Sequence, residues 1–228
     1  STYLVAVQES RGIDSCNLRS LSFVYCVDMG TGSPSVSYDA NIKFFHSDPG
    51  DCFRRSYGTM IPKESQGMSK SHIIIFVKAP RPGFVKTRLA DAIGPENACD
   101  AYRKLVKILL DNLADLPRVE IRFTPDDAES EISQWLCEGW KAKPQGEGDL
   151  GRRMHRAITE IKCPAIVIGS DCPSINKADI TAAQEALDKH DVVLGPAIDG
   201  GYWLIGLQSP CPTLFAGIQW STKNVLNE

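Results

Sequence analysis

The absences in this chain narrow its identity first. None of its 8 cysteines belongs to a CxxC pair; Cys16, Cys26, Cys52, Cys99, Cys137, Cys163, Cys172 and Cys211 are widely scattered. Such spacing argues against a zinc site of the usual kind and against a disulfide framework, and it suits reduced thiols in a cytoplasmic protein. No apolar run approaches the roughly 18 residues that a membrane span needs. There is no basic stripe interleaved with aromatics and the net charge is −3, so no nucleic-acid partner is expected. Three motifs are missing as well. Val85 stands where GxxxxGKS/T requires a glycine before the lysine, and Gly83 has no companions that would make GxGxxG. Ser170 is not framed as GxSxG, which leaves an α/β-hydrolase without support.

What is present is organised around residues 73–90, IIIFVKAPRPGFVKTRLA. The apolar run 73–77 reads as a strand buried on both faces, the habit of parallel sheets in α/β proteins. A loop with Lys78, Arg81 and Gly83 follows, then Lys86, Thr87 and Arg88 at the start of a helical pattern. A buried strand that delivers a Gly/Pro loop loaded with cations is how α/β folds meet phosphate. Further along, the pattern alternates. A helix is expected over 96–113, with Pro95 in its first turn and Tyr102, Leu105, Val106, Leu109, Leu110 and Leu113 on one face. A strand at 119–123, a helix capped by Asp126 or Asp127 and a loop at 143–148 come next. A helix at 150–161, a strand at 165–169, a helix at 177–189 and strands at 192–195 and 202–207 complete the series. Strands alternating with helices imply a mostly parallel sheet covered on both faces.

Residues 1–70 differ. They are rich in Ser, Gly and Asp, with short apolar pieces at 3–7, 21–25 and 37–45 and no useful helical periodicity. They read as a poorly structured extension or a small β appendage, and Met68 marks the natural start of the compact domain, 71–228. The last residues resemble a helix just starting at Ser221 or Thr222, so a C-terminally incomplete domain is expected.

Two carboxylates stand out by position. Asp171 follows the strand at 165–169, and Asp199 follows the strand at 192–195 and precedes Gly200 and Gly201. Alone, Asp171 also reads as a helix-capping residue and Asp199 as an Asp-Gly turn. If both strands run parallel to 73–77, the two carboxylates and Lys86 meet at one sheet edge. Two hard oxygen ligands facing a cation-lined loop suit Mg²⁺ or Mn²⁺ with a nucleotide. A glycine-rich loop at 146–151, with Gln145 and Asp149, offers a second flexible approach to a ligand, and Arg152 and Arg153 follow it.

These pieces occur in a recognisable order: KAPRPGFVKTRL at 78–89, Gln145 with GDLGRRM at 148–154, GSDCP at 169–173, GPAIDGGYW at 195–203 and WST at 220–222. Together they resemble the DUF2064 family, over about residues 71–228. That family is glycosyltransferase-like and similar to the guanylyltransferase of coenzyme F420 biosynthesis. The resemblance implies a Rossmann-like GT-A fold, a nucleotide-diphospho-sugar transferase three-layer sandwich. It implies a nucleotide held by Gly83, Lys86 and Arg88, with Lys78 nearby, and a metal-binding carboxylate at Asp171. GT-A enzymes usually show DxD there; this chain has Ser-Asp-Cys, so the metal needs a second ligand such as Asp199. The expected substrates are a nucleotide-sugar or a nucleoside triphosphate and a small-molecule acceptor, the acceptor side being shaped by Gly200, Gly201 and Tyr202. Sugar transfer leads; nucleotidyl transfer and an inactive nucleotide-binding fragment are the alternatives.

Overall fold

The computed structural model describes residues 71–162, 164–197, 199–220, 222 and 225, together with the backbone of 25–27. The expected pieces at 3–7 and 37–45 and the helix start at Ser221 lie outside them. Among the described cysteines, Cys99, Cys137 and Cys172 are free thiols.

Among the described residues, seven strands form one sheet: β1 (Tyr25–Val27), β2 (His72–Lys78), β3 (Val119–Thr124), β4 (Lys141–Pro144), β5 (Ala165–Gly169), β6 (Val192–Pro196) and β7 (Tyr202–Leu207). Their spatial order is β1-β6-β7-β5-β2-β3-β4. Strands β2 to β5 are parallel to their neighbours in the group. β7 is antiparallel to both β5 and β6, so β6 runs in the same direction as β5. The reason is local. Only residues 197–201 separate β6 from β7, enough for a hairpin and far too few for a crossover. The short β1 pairs antiparallel with the outer edge of β6.

The centre of the sheet is β2, in which Ile73, Ile74, Ile75, Phe76 and Val77 are all buried. Alternation sends Ile73, Ile75 and Val77 into one core and Ile74 and Phe76 into the other. Each such side chain contributes roughly 1.5–3 kcal/mol on burial. The first core is roofed by α2 (Pro95–Leu113) and α5 (Lys177–Leu187), the second by α4 (Leu150–Ile161). The result is a three-layer sandwich. In α2, Pro95 occupies the first turn as expected, and Tyr102, Val106, Leu109, Leu110 and Leu113 are buried, with Leu105 at the margin. Asn176 and Asp179 form a reciprocal capping box at the start of α5.

Two expectations need correction. Neither Asp126 nor Asp127 caps a helix: α3 (Glu129–Ile132) is a single turn running into a 3-10 turn, and its cap is Ala128. Asp127 instead pairs with Arg81, and Asp126 accepts from the Gly146 amide. The segment read as loop from 143 begins inside β4, an edge strand too short and polar to show apolar alternation.

β3 hides an unexpected charge. Its Val119, Ile121 and Phe123 join the first core, so Glu120 and Arg122 face α4. The Arg122 side chain is 2% exposed; its Nε lies 2.5 Å from Glu120 and its Nη2 2.7 Å from Glu160 on α4. Burial alone would raise the Glu160 pKa, but the hydrogen bond and charge of Arg122, with Lys143 and Arg156, hold it below the usual value. Losing Arg122 would leave the buried Glu120 carboxylate with only the half-exposed Lys143 ammonium, 3.6 Å away, to offset its charge. Arg122→Ala is therefore expected to cost about 3–5 kcal/mol in urea denaturation. Lys143→Ala, which removes a half-exposed ammonium 3.6 Å from Glu120, should cost less than about 1 kcal/mol.

Candidate active site

The sheet order reverses between β2 and β5. From β2 the chain moves outward to β3 and β4, with α1 (Thr87–Ile93) and α2 in the first connection. From β4 it returns through α4, on the opposite face, to the other side of β2. At such a switch point the two connections leave on opposite faces and open a crevice beyond the carboxyl ends of the strands, where α/β folds bind ligands.

The first loop, 79–86, forms one wall, and the backbone of its first residues is tied down. The Ala79 amide donates to Thr124 O at 2.8 Å. Cys99 Sγ and Arg103 Nη2 both donate to Pro80 O. Arg81 is held by Glu131 at 2.6 Å and Asp127 at 3.1 Å, so its charge is spent on structure. Val85 is buried while Phe84 beside it is 72% exposed. Gly83 has φ +81, and Lys86 has φ +48, a left-handed conformation uncommon for a residue with a Cβ. That turn starts α1 and carries Lys86 Nζ to within 3.0 Å of Asp171 Oδ1, across the crevice. Lys78 and Arg88 lie exposed on either side of the loop.

The opposite wall starts where β5 ends, at Ser170 and Asp171. Cys172 reports on its charge. Burial, the largest effect, raises its thiol pKa; Asp171 and Asp199 raise it further and Lys86 opposes them. All three charged groups therefore act on one thiol, as the parallel course of β2, β5 and β6 requires. Asp199 sits in the β6–β7 hairpin, where its Oδ1 accepts from the Gly201 amide at 3.2 Å, and Gly200 takes φ +87. Among the described residues no three or more His, Cys, Asp or Glu side chains cluster. Two carboxylates suit a metal that completes its shell with water and phosphate oxygens, as Mg²⁺ and Mn²⁺ do; they do not suit one caged by protein alone.

The second loop, 145–149, is braced by arginines. Arg156 donates to Gln145 O at 2.7 Å and Glu147 O at 2.8 Å, and Arg153 Nε donates to Gly148 O at 2.7 Å. Gln145 is buried, and its amide donates to Val77 O and Arg122 O, each at 3.0 Å. Asp149 caps α4 through the Arg152 amide. Both residues thus hold the loop. Tyr202 packs on the α4 side beside Met154, and burial raises its pKa. Lys86 and Asp171 are in contact, and Lys78 at the end of β2 and Asp199, Gly200 and Gly201 in the hairpin after β6 lie at the same carboxyl edge of the sheet; Gln145 and Asp149 brace the second loop, and Tyr202 packs on the α4 side.

Sequence reasoning placed Tyr102 in the core and assigned it nothing more. Its ring is core, but its hydroxyl accepts from the Lys78 amide at 2.9 Å and lies 3.0 Å from Ser170 Oγ. Burial raises its pKa, so the phenol stays protonated. The available signal was a lone polar tip in an apolar stripe, since a buried tyrosine hydroxyl needs a partner.

This is the architecture of nucleotide-diphospho-sugar transferases. Residues 110–222 match the family described as "Uncharacterized protein conserved in bacteria (DUF2064)". A crystal structure from Desulfovibrio desulfuricans G20, provisionally named a nucleotide-diphospho-sugar transferase, is 37% identical, with a TM-score of 0.63 over 69% of this chain and 72% of that one. The chain belongs to the DUF2064 family. More distant likenesses are a cytidylyltransferase from Leptospira borgpetersenii (12% identity, TM-score 0.43, 64% of this chain and 62% of that one) and a 4-diphosphocytidyl-2C-methyl-D-erythritol synthase from Anaerococcus prevotii (11%, 0.43, 70% and 82%). No curated protein matches the chain. No described helix is long and apolar enough to cross a membrane.

The strained Lys86 yields a test in which stability and binding part company. Lys86→Gly relieves the left-handed backbone, worth roughly 1–2 kcal/mol, against loss of an exposed ion pair worth roughly 0–1 kcal/mol and the flexibility glycine adds to the unfolded chain. Its stability should stay within about 1 kcal/mol of the parent. Its affinity for inorganic pyrophosphate, titrated calorimetrically, should fall by about 1.5–3 kcal/mol, the range for a charge-assisted hydrogen bond. Arg88→Ala should weaken binding similarly.

Proposed function

We propose that this chain, a transferase by family and fold, moves a sugar from a nucleoside-diphosphate sugar to a small-molecule acceptor. The observation that carries the reading is the Lys86–Asp171 pair, spanning the switch-point crevice at 3.0 Å. A cation for phosphate and a carboxylate for a divalent metal are paired directly, and a diphosphate with its metal would separate the pair and take over both contacts. Lys86 and Arg88, with Lys78 at the end of β2, would bind the diphosphate. Asp171 and Asp199 would hold Mg²⁺ or Mn²⁺, which when bound neutralises charge on a departing diphosphate. Gly200 and Gly201, lacking side chains, let the hairpin backbone approach the sugar or its acceptor.

In sugar transfer the bond between the anomeric carbon and the β-phosphate oxygen breaks. Its electron pair leaves with the nucleoside diphosphate, and the acceptor atom bonds to the anomeric carbon as its proton passes to solvent. Lys86 stabilises the charge that develops on the leaving oxygen. The same cations would serve attack at an α-phosphate with loss of pyrophosphate, so the product decides.

The test offers the protein a panel of nucleotide-sugars and nucleoside triphosphates with Mg²⁺ or Mn²⁺. Nucleoside diphosphate should be released from a nucleotide-sugar. Pyrophosphate from a triphosphate, with no diphosphate from any nucleotide-sugar, would replace this reading with nucleotidyl transfer; nucleotide binding without turnover would leave a binding protein. Asp171→Asn should keep the fold and lose metal-dependent nucleotide binding, and wild-type Mn²⁺ affinity in that variant would remove Asp171 from the site.

A further inference from the structure

Helix α2 lies behind the sheet, yet it reaches the crevice from below at one point. The last pairing between β2 and β5 joins Phe76 to Gly169. Beyond it the two strands part into the loops that carry Lys86 and Asp171. Tyr102, 2% exposed, fills that divergence. Its hydroxyl accepts from the Lys78 amide and retains its own hydrogen, with Ser170 Oγ 3.0 Å away to share it. One neutral group thus spans both strand exits, each of them next to or within the proposed diphosphate and metal site. The Tyr102 ring is in turn fixed by packing, with Trp135 edge-on at 6.4 Å. The far end of the β5–α5 loop is tied to the same helix, because Asn112 donates to Pro173 O at 3.0 Å and Ile175 O at 3.1 Å.

We propose that Tyr102 is a positioning residue of the active site: its hydroxyl sets the separation of the β2 and β5 exits and thereby the spacing of the loops that carry Lys86 and Asp171, whose contact a metal-bound diphosphate would replace. Ser170 is its partner in that role. The inference rests on reading the crevice as a diphosphate site. A misplacement of the order of 1 Å in such a site can cost about a hundredfold in rate, so a buried spacer matters as much as the charged groups it separates.

Three variants and two measurements test this. Tyr102→Phe keeps the ring and removes the hydroxyl; Ser170→Ala removes its partner. Leu109→Ala, further along the same buried face of α2, lowers stability by opening a cavity and touches neither exit. The first measurement is calorimetric binding of inorganic pyrophosphate in the presence of Mn²⁺, pyrophosphate being the part shared by every candidate donor. Tyr102→Phe and Ser170→Ala should each weaken it about tenfold, and the double variant should be no more than about twofold weaker than either, because the two share one interaction. Leu109→Ala should bind within about twofold of the parent despite a lower thermal transition. The second measurement needs no ligand. Amide exchange in Tyr102→Phe should speed up about tenfold in both 78–86 and 170–175, with 73–77 unchanged.

Parent-like binding in Tyr102→Phe at reduced stability would make the hydroxyl merely structural and overturn the proposal. So would equal weakening in Leu109→Ala, or unchanged exchange at 170–175 in Tyr102→Phe. A parent that binds no pyrophosphate while the exchange pattern appears as expected would overturn the diphosphate reading and leave the spacing role supported.

Discussion

Everything in this molecule follows from a strand that is covered on both sides. β2 has no solvent face, so from Ile73 to Val77 it can carry only apolar side chains, and chemistry must wait until it ends. At that end three ties converge within three residues. Val77 O accepts from Gln145, the Lys78 amide donates to Tyr102, and the Ala79 amide donates to Thr124 O. Backbone groups emerging from a buried strand have to be satisfied, and here each partner comes from a different element. The exit of β2 is therefore held from three sides, and the crevice opens beside it.

Charge is handled in two contrasting ways on either side of that point. Arg122 and Glu120 are sealed beneath α4, with Glu160 of that helix partly exposed above them. Desolvation offsets most of their Coulombic gain, but the set cannot lose a member cheaply. Lys86 and Asp171 sit at the rim, with the carboxylate 69% exposed. Water and salt keep that pair weak, and a pair so weak can be exchanged for a ligand and a metal. The same functional groups thus make a fixed strut in one place and an exchangeable contact in the other, and burial alone decides which.

Much of this was legible in the sequence. The apolar run of β2, the stripe of α2 and the glycine-flanked carboxylates each carry a periodic or positional signal, and Lys86 and Asp171 do pair, with Asp199 at the same sheet edge, once β2, β5 and β6 are known to be parallel. What could not be read depended on partners distant in the chain. Asp127 has the composition of a helix cap, but Arg81 claims it. Gln145 and Asp149 resemble ligand contacts because their loop is glycine-rich; only the packing of Arg153 and Arg156 shows the loop to be held from behind. β4 is a polar edge strand with no pattern to find. The left-handed turn at Lys86 has no sequence signature, since nothing but the geometry of the α1 start requires it.

Two tryptophans rest on glycines at this end of the sheet. A Cβ on Gly195 would come within 2.6 Å of the Trp203 ring, and one on Gly151 within 2.5 Å of Trp220, itself stacked on Phe215. Each indole occupies the volume a side chain would have taken, so glycine and tryptophan are two halves of one seat. The consequence is evolutionary. Neither partner can drift alone, since any larger residue at 151 or 195 ejects its ring, and a smaller ring leaves a void above the glycine. Members of the family that have replaced one of these residues should have replaced its mate, and the two pairs should be inherited as units.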